Sequence, residues 1–367
     1  TSAFDILPAE LVDNILRDAA QGAKINIAVI SFVCRQWRIR RNFWMGSSPI
    51  IATPDLCIEE AAALGEVKLL KWLKEAGCPF DDFGNAAMRA AEGGHLEVLK
   101  WLKEEGCHSF YSYRDSTVCA GAASGGHLDV LKWARETGCE WDYKTPTAAA
   151  KNGHLEVLKW ARENGCSWVI GWIGQEAATG GHFEVLKWAR ENQRDGDVFR
   201  DDVCRGAAEG NHLEILKWGS ENGYTLTDHV FNSAVKRGSL SMLKWLKDNN
   251  CPWSKETCSL AAEMGDLEKL QWLRANGCPW SKKTCSSAAY RGHLEVLKWA
   301  RENGCPWRRS TAENAVVGGR FEVLKWATEN GCDYPDNAMA AAAHGGHLEL
   351  MKWLKEKGWV LDKYTGL

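Results

Sequence analysis

Histidine and cysteine, the side chains best suited to metal or acid–base chemistry, recur at fixed places in this sequence. One series of histidines stands six residues before a Trp: His95, His127, His154, His182, His212, His293 and His347. A series of imidazoles can bind a metal or move protons. Four equivalent positions carry Glu66, Ser239, Asp266 and Arg320, which share no such chemistry. We therefore interpret the series as structural, each His beginning a helix and hydrogen-bonding a neighbouring loop.

The cysteines form a second series. Eight stand six residues after the same Trp: Cys78, Cys107, Cys139, Cys166, Cys251, Cys278, Cys305 and Cys332. A further set lies earlier in the repeating phrase: Cys57, Cys119, Cys204, Cys258 and Cys285. Equivalent positions of stacked helices are about 8–10 Å apart, whereas a disulfide requires Cα atoms within about 7 Å. We therefore expect free thiols that pack as small apolar groups.

A zinc site is the alternative for these residues. Cys278, Cys285 and His293 can in principle meet on one ion, but their spacing matches no common zinc pattern, and most repeats lack the set. The sequence also has no Walker-type phosphate loop, no H-E-x-x-H and no G-x-S-x-G motif. We expect a protein that is not an enzyme and that holds no metal and no cofactor.

Tryptophan is the third recurring residue, with 20 in 367 residues, and a row of aromatic rings can stack nucleic-acid bases. Eleven lie beside Leu and Ala in the repeating phrase: Trp72, Trp101, Trp133, Trp160, Trp188, Trp218, Trp245, Trp272, Trp299, Trp326 and Trp353. We predict that these face the core. Five others follow a Cys by two residues and are expected to cover the ends of helix pairs: Trp141, Trp168, Trp253, Trp280 and Trp307.

All these series belong to one unit of about 27 residues that occurs eleven times. Gly stands seven residues before the Trp in ten copies and Asn211 in the other, so we predict a turn with positive φ. Ala stands four residues before that turn in every copy, which indicates a closely packed helix. After the turn, the sequence of the ninth copy predicts an amphipathic helix with a Lys298–Glu302 pair, ending at Gly304.

Each unit therefore predicts a helix, a tight turn, a second helix and a loop. One helix pair cannot bury its own apolar face, but a stack of pairs can. The predicted fold class is all-α. An α-solenoid of about eleven helix–turn–helix repeats covers residues 57–360, a small helical domain covers residues 1–48, a linker covers 49–56 and a tail covers 361–367.

The phrase AAYRGHLEVLKWARENGC, residues 288–305, resembles the ankyrin repeat, whose core reads Ala-Ala, two variable residues, Gly-His, an apolar helix and Gly-Ala. Short Trp- and Cys-rich repeats of this kind are similar to those multiplied in large DNA viruses and some algae. Because this unit is shorter than the family's, we expect tight turns in place of β-hairpin fingers. The resemblance implies protein binding on the concave side, at Lys151, Asn152, Lys236, Arg237, Met264, Tyr290 and Arg291.

Two loops that exceed the repeat length offer a second candidate surface. The first, HSFYSYRDSTV, carries Phe110, Tyr111 and Tyr113, and the second, QRDGDVFRDD, replaces the usual Gly-Cys. Aromatic and Arg side chains commonly anchor protein interfaces, although surface loops also tolerate insertions that have no function. Both interpretations stay open at this point.

The residues before the repeats follow a different pattern. LPAELVDNIL, VCRQWR and Trp44 resemble an F-box, a small helical unit that binds a Skp-type adaptor of a cullin-based ubiquitin ligase. On this resemblance the adaptor surface is formed by Leu7, Pro8, Leu11, Ile15, Leu16, Val33, Cys34 and Trp37, and the repeats hold the target protein of a substrate receptor. The alternative is a scaffold or inhibitor that binds one protein partner, with the N-terminal helices only capping the solenoid.

The composition of the chain argues against several other classes of protein. With 45 Lys and Arg against 48 Asp and Glu, the net charge of -3 argues against a general nucleic-acid binder. No run of about 18 apolar residues predicts a membrane span, and no secretory signal is visible. Fourteen cysteines in a chain of this length favour a reducing compartment. We expect an intracellular protein of the cytoplasm or nucleus (the host cytoplasm if viral) that is monomeric outside its complex.

Overall fold

A computed structural model describes residues 54–75, 84–107, 116–192, 201–281, 283–333, 335 and 337–358, with side chains described for all of these except 54–57, 84 and 201. The chain divides between residues 199 and 200 into two compact units. The regular structure of the described residues consists of 22 helices and no strand. None of these helices is long and apolar enough to cross a membrane.

The helices of the first unit are α1 Pro54–Ala63, α2 Val67–Glu75, α3 Gly84–Glu92, α4 Leu96–Glu104, α5 Thr117–Gly125, α6 Leu128–Glu136, α7 Lys144–Lys151, α8 Leu155–Glu163, α9 Ile170–Gly180 and α10 Phe183–Glu191. Those of the second unit are α11 Asp201–Glu209, α12 Leu213–Glu221, α13 Asp228–Arg237, α14 Leu240–Asp248, α15 Thr257–Met264, α16 Leu267–Ala275, α17 Thr284–Arg291, α18 Leu294–Glu302, α19 Arg309–Val317, α20 Phe321–Glu329, α21 Ala338–His344 and α22 Leu348–Glu356.

The odd-numbered helices are the first helices of the repeats, and the even-numbered helices are the second. Within each unit, every first helix packs against its own second helix and against the first helix of the next repeat. The small side chains of the paired alanines, such as the buried Ala288 and Ala289 of α17, let these helices approach closely. The predicted all-α solenoid of helix–turn–helix repeats is confirmed within each unit.

The second helix of each repeat forms from one recurring amphipathic sequence. In α18 the buried face consists of Val296, Leu297 and Ala300, and the helix is followed by Gly304 with a φ of 79°, as predicted. The predicted Lys298–Glu302 pair is wrong. Lys298 Nζ instead donates to Glu295 Oε1 at 2.8 Å, because helical side chains lean toward the N-terminus and the ammonium group therefore reaches back by one turn.

The turns between paired helices adopt the left-handed backbone predicted for the glycine column. Gly65, Gly94 and Gly126 have φ values of 76–77°, and Asn211 takes the same conformation with a φ of 60°. Gly238 is the exception, with a φ of -75°. At that turn the next residue, Ser239, is extended and its backbone N–H donates to the Asn211 side chain. The prediction of positive φ is therefore wrong for Gly238.

The tryptophans lie at the margins of the repeats. Of the eleven in the repeating phrase, only Trp101 is buried, and the others are half-buried, so the prediction that all face the core is wrong for those ten. In four repeats the loop Trp packs edge-on against the helical Trp of the next repeat, with ring centroids 5.6–6.0 Å apart: Trp141 and Trp160, Trp168 and Trp188, Trp280 and Trp299, Trp307 and Trp326. These loop rings cover helix ends, as expected.

Candidate partner-binding surface

The histidine series links neighbouring repeats within each unit. In four copies the ring Nε2 lies 2.8–3.2 Å from a carbonyl oxygen at the C-terminal end of the preceding first helix: His95 to Ala63, His154 to Ser124, His293 to Glu263 and His347 to Val317. Arg320 makes the equivalent bond from Nε to the Tyr290 carbonyl at 3.1 Å. Carbonyls at a helix end have no partner within the helix, so the contact is structural, as the sequence indicated.

The same rings explain why the turn residue of the preceding repeat is glycine. A Cβ atom added to Gly126 would lie 2.4 Å from Nδ1 of His154, and one added to Gly65 would lie 2.5 Å from Nδ1 of His95. A side chain here is excluded by contact with the next repeat as well as by the positive φ of the turn. The ends of the first helices are therefore held in place from one repeat to the next.

At one boundary between repeats, both members of this Gly–His contact differ from the usual residues. Asn211 occupies a glycine position, and the following repeat has the small Ser239 in place of His. The Asn211 side-chain oxygen accepts the Ser239 N–H at 2.8 Å. In the next repeat, Asp266 pairs with Lys269 at 3.0 Å, and Lys269 Nζ donates to the Val235 carbonyl at 3.2 Å. A lysine thus reaches a helix-end carbonyl where no histidine is present.

Each first helix ends with two residues that differ between repeats. We call them the variable pair: they lie between the Ala-Ala or Ala-Val of the first helix and the turn that follows it. The second member of this pair is Gly in six repeats. At Gly125 and Gly318 an added Cβ would lie 2.1 Å from a carbonyl oxygen of the preceding repeat, so these positions leave no room for a side chain. Three successive repeats differ by carrying Arg237, Met264 and Arg291.

Apolar side chains are exposed at the variable pairs of the second unit. Met264, Tyr290 and Val317 are 40%, 41% and 54% exposed, and we call them the apolar strip. They lie at the C-terminal ends of three consecutive, mutually packed helices, α15, α17 and α19. The backbone carbonyls of Tyr290 and Val317 accept bonds from Arg320 and from His347 of the following repeats. The strip is therefore built on a fixed backbone.

Cations border the apolar strip. Lys236 and Arg237 of α13 are exposed and make no hydrogen bond or ion pair with any described residue. Arg291 lies over the Tyr290 ring at 5.6 Å from its centroid and pairs with Glu263 at 2.8 Å. The charge left uncompensated at this surface is positive, so it is complementary to an acidic partner segment.

The other candidate residues divide between the first unit and the segments outside the described ranges. Lys151 is exposed and pairs with Glu176 at 3.4 Å, and the Asn152 amide donates to the Ser124 hydroxyl at 3.2 Å. These two side chains are not part of the apolar strip. The loop aromatics Phe110, Tyr111 and Tyr113, and the adaptor residues Leu7, Pro8, Leu11, Ile15, Leu16, Val33, Cys34 and Trp37, lie outside the described residues.

Sequence reasoning missed six large apolar side chains that the structure exposes: Leu64, Tyr143, Val169, Trp172, Val317 and Leu348. Val317 stands in the same column as Tyr290, so its column was sufficient to find it. Tyr143 and Trp172 are 40% and 46% exposed and pack edge-on with centroids 4.8 Å apart. They belong to the irregular starts of α7 and α9, where no repeating pattern marked them.

The histidines and cysteines do not assemble into a metal site in the part of the chain that is described. No group of three or more His, Cys, Asp or Glu side chains there is placed to hold an ion. All eleven described cysteines are buried free thiols, as the small apolar packing of this series predicted.

Comparison with known proteins gives little beyond this geometry. No protein-family model matches the chain, and no curated protein matches it. Among solved structures, the crystal structure of the human ASB11 ankyrin repeat domain is similar with 21% identity, covering 54% of this chain and 99% of that chain, at a TM-score of 0.37. A likeness at this level carries no argument about function or partners.

Proposed function

We propose that this chain is a protein-binding module whose second unit binds an acidic segment with apolar side chains. The observation that carries this proposal is the apolar strip bordered by the free cations Lys236 and Arg237. The variable pairs of this unit expose Met264, Tyr290 and Val317 to solvent, whereas the columns around them are occupied by packing and hydrogen bonds. Exposed aromatic, Met and Arg side chains are typical anchors of protein interfaces.

The contacts support recognition by side chains on a rigid platform. Tyr290 has few rotatable bonds, and Arg291 stacks over its ring, so little conformational entropy is lost on binding. Acidic residues of a partner, placed beside Lys236 and Arg237, would accelerate encounter and set orientation. Met264 would adapt to the partner's apolar side chains.

The finer proposal concerns the N-terminal segment. Its resemblance to an F-box supports binding to a Skp-type adaptor through Leu7, Pro8, Leu11, Ile15, Leu16, Val33, Cys34 and Trp37. The chain would then be a substrate receptor that tethers a target protein to a cullin-based ubiquitin ligase, acting through effective concentration and without chemistry of its own. Support for this step comes from the sequence alone.

A peptide-display selection on the full chain tests the target surface. We expect enriched peptides that combine apolar with acidic residues, and a loss of at least tenfold in affinity on Tyr290→Ala, corresponding to about 1.4 kcal/mol. Tyr143→Ala is the matched control, because Tyr143 is 40% exposed and Tyr290 41%. Equal binding by the Tyr290→Ala variant, or enrichment of basic peptides, would overturn this assignment.

Calorimetry of the full chain with a purified Skp-type adaptor tests the N-terminal proposal separately. We expect micromolar or tighter binding that is lost in the Leu11→Asp, Ile15→Asp variant while circular dichroism shows unchanged helicity. Retained binding by that variant, or no binding by the parent chain, would reject the adaptor surface and leave the peptide result unaffected.

A further inference from the structure

Several buried thiols are arranged as pairs within one repeat. Cys285 on α17 donates its S–H to Cys305, which follows α18, with the two sulfur atoms 3.1 Å apart. Their exposed fractions are 1% and 0%. Cys258 and Cys278 of the preceding repeat have the same separation of 20 residues, and the Cys258 thiol also donates to the Cys278 carbonyl at 3.8 Å. Two neighbouring repeats thus each contain a buried dithiol.

The hydrogen bond makes the two sulfurs of a pair unequal. Accepting the S–H of Cys285 lowers the pKa of the Cys305 thiol, whereas donating that bond, together with burial, raises the pKa of Cys285. Cys278 and Cys258 differ in the same direction for the same reason. The thiolate is the reactive form of cysteine, and the S–H bond that Cys305 accepts favours the thiolate there, so we assign the attacking role to Cys305 and the resolving role to Cys285.

We propose that Cys285 and Cys305 form a reversible oxidation site that peroxide converts into a disulfide within one repeat. The Cys305 thiolate attacks one oxygen of hydrogen peroxide, the O–O bond breaks, and Cys305 sulfenic acid and hydroxide result. The Cys285 thiol then attacks that sulfur, forming the S–S bond and releasing the second oxygen as water once its proton is transferred. Two thiols are oxidised by two electrons, and one peroxide is reduced to two waters.

The fold favours this product over the alternatives. The partner sulfur is already in contact at 3.1 Å, so the two sulfur atoms have only about 1 Å to close before they are bonded. The thiols of Cys166 and Cys332 donate instead to backbone carbonyls, those of Asp142 and Arg308. Since both paired sulfurs are buried, the oxidant must be small and must enter during local opening.

The position of the pair indicates what oxidation would affect. The bond would join the first turn of α17, at Cys285, to the loop after α18, and Tyr290 lies at the other end of α17. Oxidation would therefore fix the helix that supports the centre of the apolar strip. The proposal concerns the thiols alone and stands whether or not that strip binds a partner.

Peptide mass spectrometry of the folded, fully reduced chain tests the site. The chain is treated with hydrogen peroxide, its remaining thiols are alkylated, and it is digested. We expect a Cys285–Cys305 cross-linked peptide pair lighter by two hydrogens, lost on reduction with dithiothreitol. The Cys285→Ser variant should lose this cross-link and instead accumulate Cys305 sulfenic acid, which dimedone labels. Cys332→Ser, which removes an unpaired buried thiol, should leave the cross-link unchanged.

Two results would overturn the proposal. In the parent chain, Cys285 and Cys305 could both remain fully alkylatable after peroxide has oxidised other thiols. Alternatively, the cross-links that form could join different repeats only. The parent chain alone decides between these outcomes, so the test holds even where a serine variant is less stable, and circular dichroism before and after treatment checks that the fold is intact.

Discussion

Replacing Gly126 by Ala tests the contact that joins successive repeats. Gly126 has a φ of 77°, and its added Cβ would lie 2.4 Å from Nδ1 of His154. The same His ring is bonded through Nε2 to the Ser124 carbonyl at 2.9 Å. The substitution therefore strains the turn, displaces the ring and breaks a hydrogen bond, and these effects can be separated with a second substitution at His154.

The expected losses in the free energy of unfolding follow from these contacts. A left-handed backbone costs a non-glycine residue about 1–2 kcal/mol, and the clash adds about 1–3 kcal/mol. Losing the His154 bond alone costs about 1 kcal/mol. Gly126→Ala should lower the free energy of unfolding by about 3–6 kcal/mol and His154→Ala by about 1 kcal/mol. The double variant should lose only about 2–3 kcal/mol, since the clash is absent and the bond is lost once.

Urea unfolding followed by tryptophan fluorescence and circular dichroism measures all four members of this cycle. Because repeat arrays can unfold in stages, the transition that contains the first unit is the one to compare. Strictly additive losses would refute the idea that the ring and the glycine are coupled. A further variant, Gly126→Asn with His154→Ser, copies the natural Asn211–Ser239 pair and should be more stable than Gly126→Asn alone.

Two other predictions concern the buried thiols and the loop aromatics. Burial raises the pKa of Cys166 and Cys251 to about 12 from an ordinary 9.0, so above pH 9 the unfolded chain loses thiol protons that the folded chain keeps. Stability should therefore be full below pH 9 and fall by about 1 kcal/mol per thiol between pH 9 and 10, and alkaline urea titrations of Cys166→Ala should show a shallower fall than the parent. The guanidinium of Arg274 lies 4.4 Å from the Trp280 ring centroid, so Arg274→Ala should cost about 1 kcal/mol. Arg274→Lys should retain most of this stability, because a lysine can take the same position: Lys247 Nζ lies 4.1 Å from the Trp253 ring centroid. Equal urea midpoints for the parent chain and for both Arg274 variants would contradict the prediction.

The periodicity of the sequence was sufficient for the fold, because each column reports a local requirement. The positive φ of the glycine turns and the buried Ala-Ala face could be read from one repeat. Apart from the Lys298 pair, which is a contact within one helix, the predictions that were wrong concern residues that contact other repeats. Trp299, for example, packs edge-on against Trp280 of the preceding loop, and Gly238 departs from its column where the Asn211 side chain binds the next backbone N–H.

The candidate sites also divide into residues that the sequence could identify and residues that it could not. Column variation found Met264 and Tyr290, whose exposure the structure describes. It missed Trp172, which lies outside any column. The dithiol was missed for a geometric reason: equivalent cysteines of neighbouring repeats are too far apart to pair, whereas Cys285 and Cys305 belong to different columns of one repeat. Sequence periodicity compares like positions, so it does not reveal contacts between unlike positions.

The changes at Asn211 and Ser239 indicate where this chain is free to vary. Those two positions change together, since a side chain on the turn residue leaves no room for a histidine ring in the next repeat and the asparagine oxygen instead accepts its backbone N–H. Residues of the variable pair that point to solvent do not have to match a residue of the next repeat in this way. Arg237, Met264 and Tyr290 differ in charge, size and polarity at nearly equivalent places, and none of them satisfies a buried neighbour. The folding of the repeat therefore does not dictate which side chain stands at these places, and this freedom makes the variable pair available for the partner recognition that we propose.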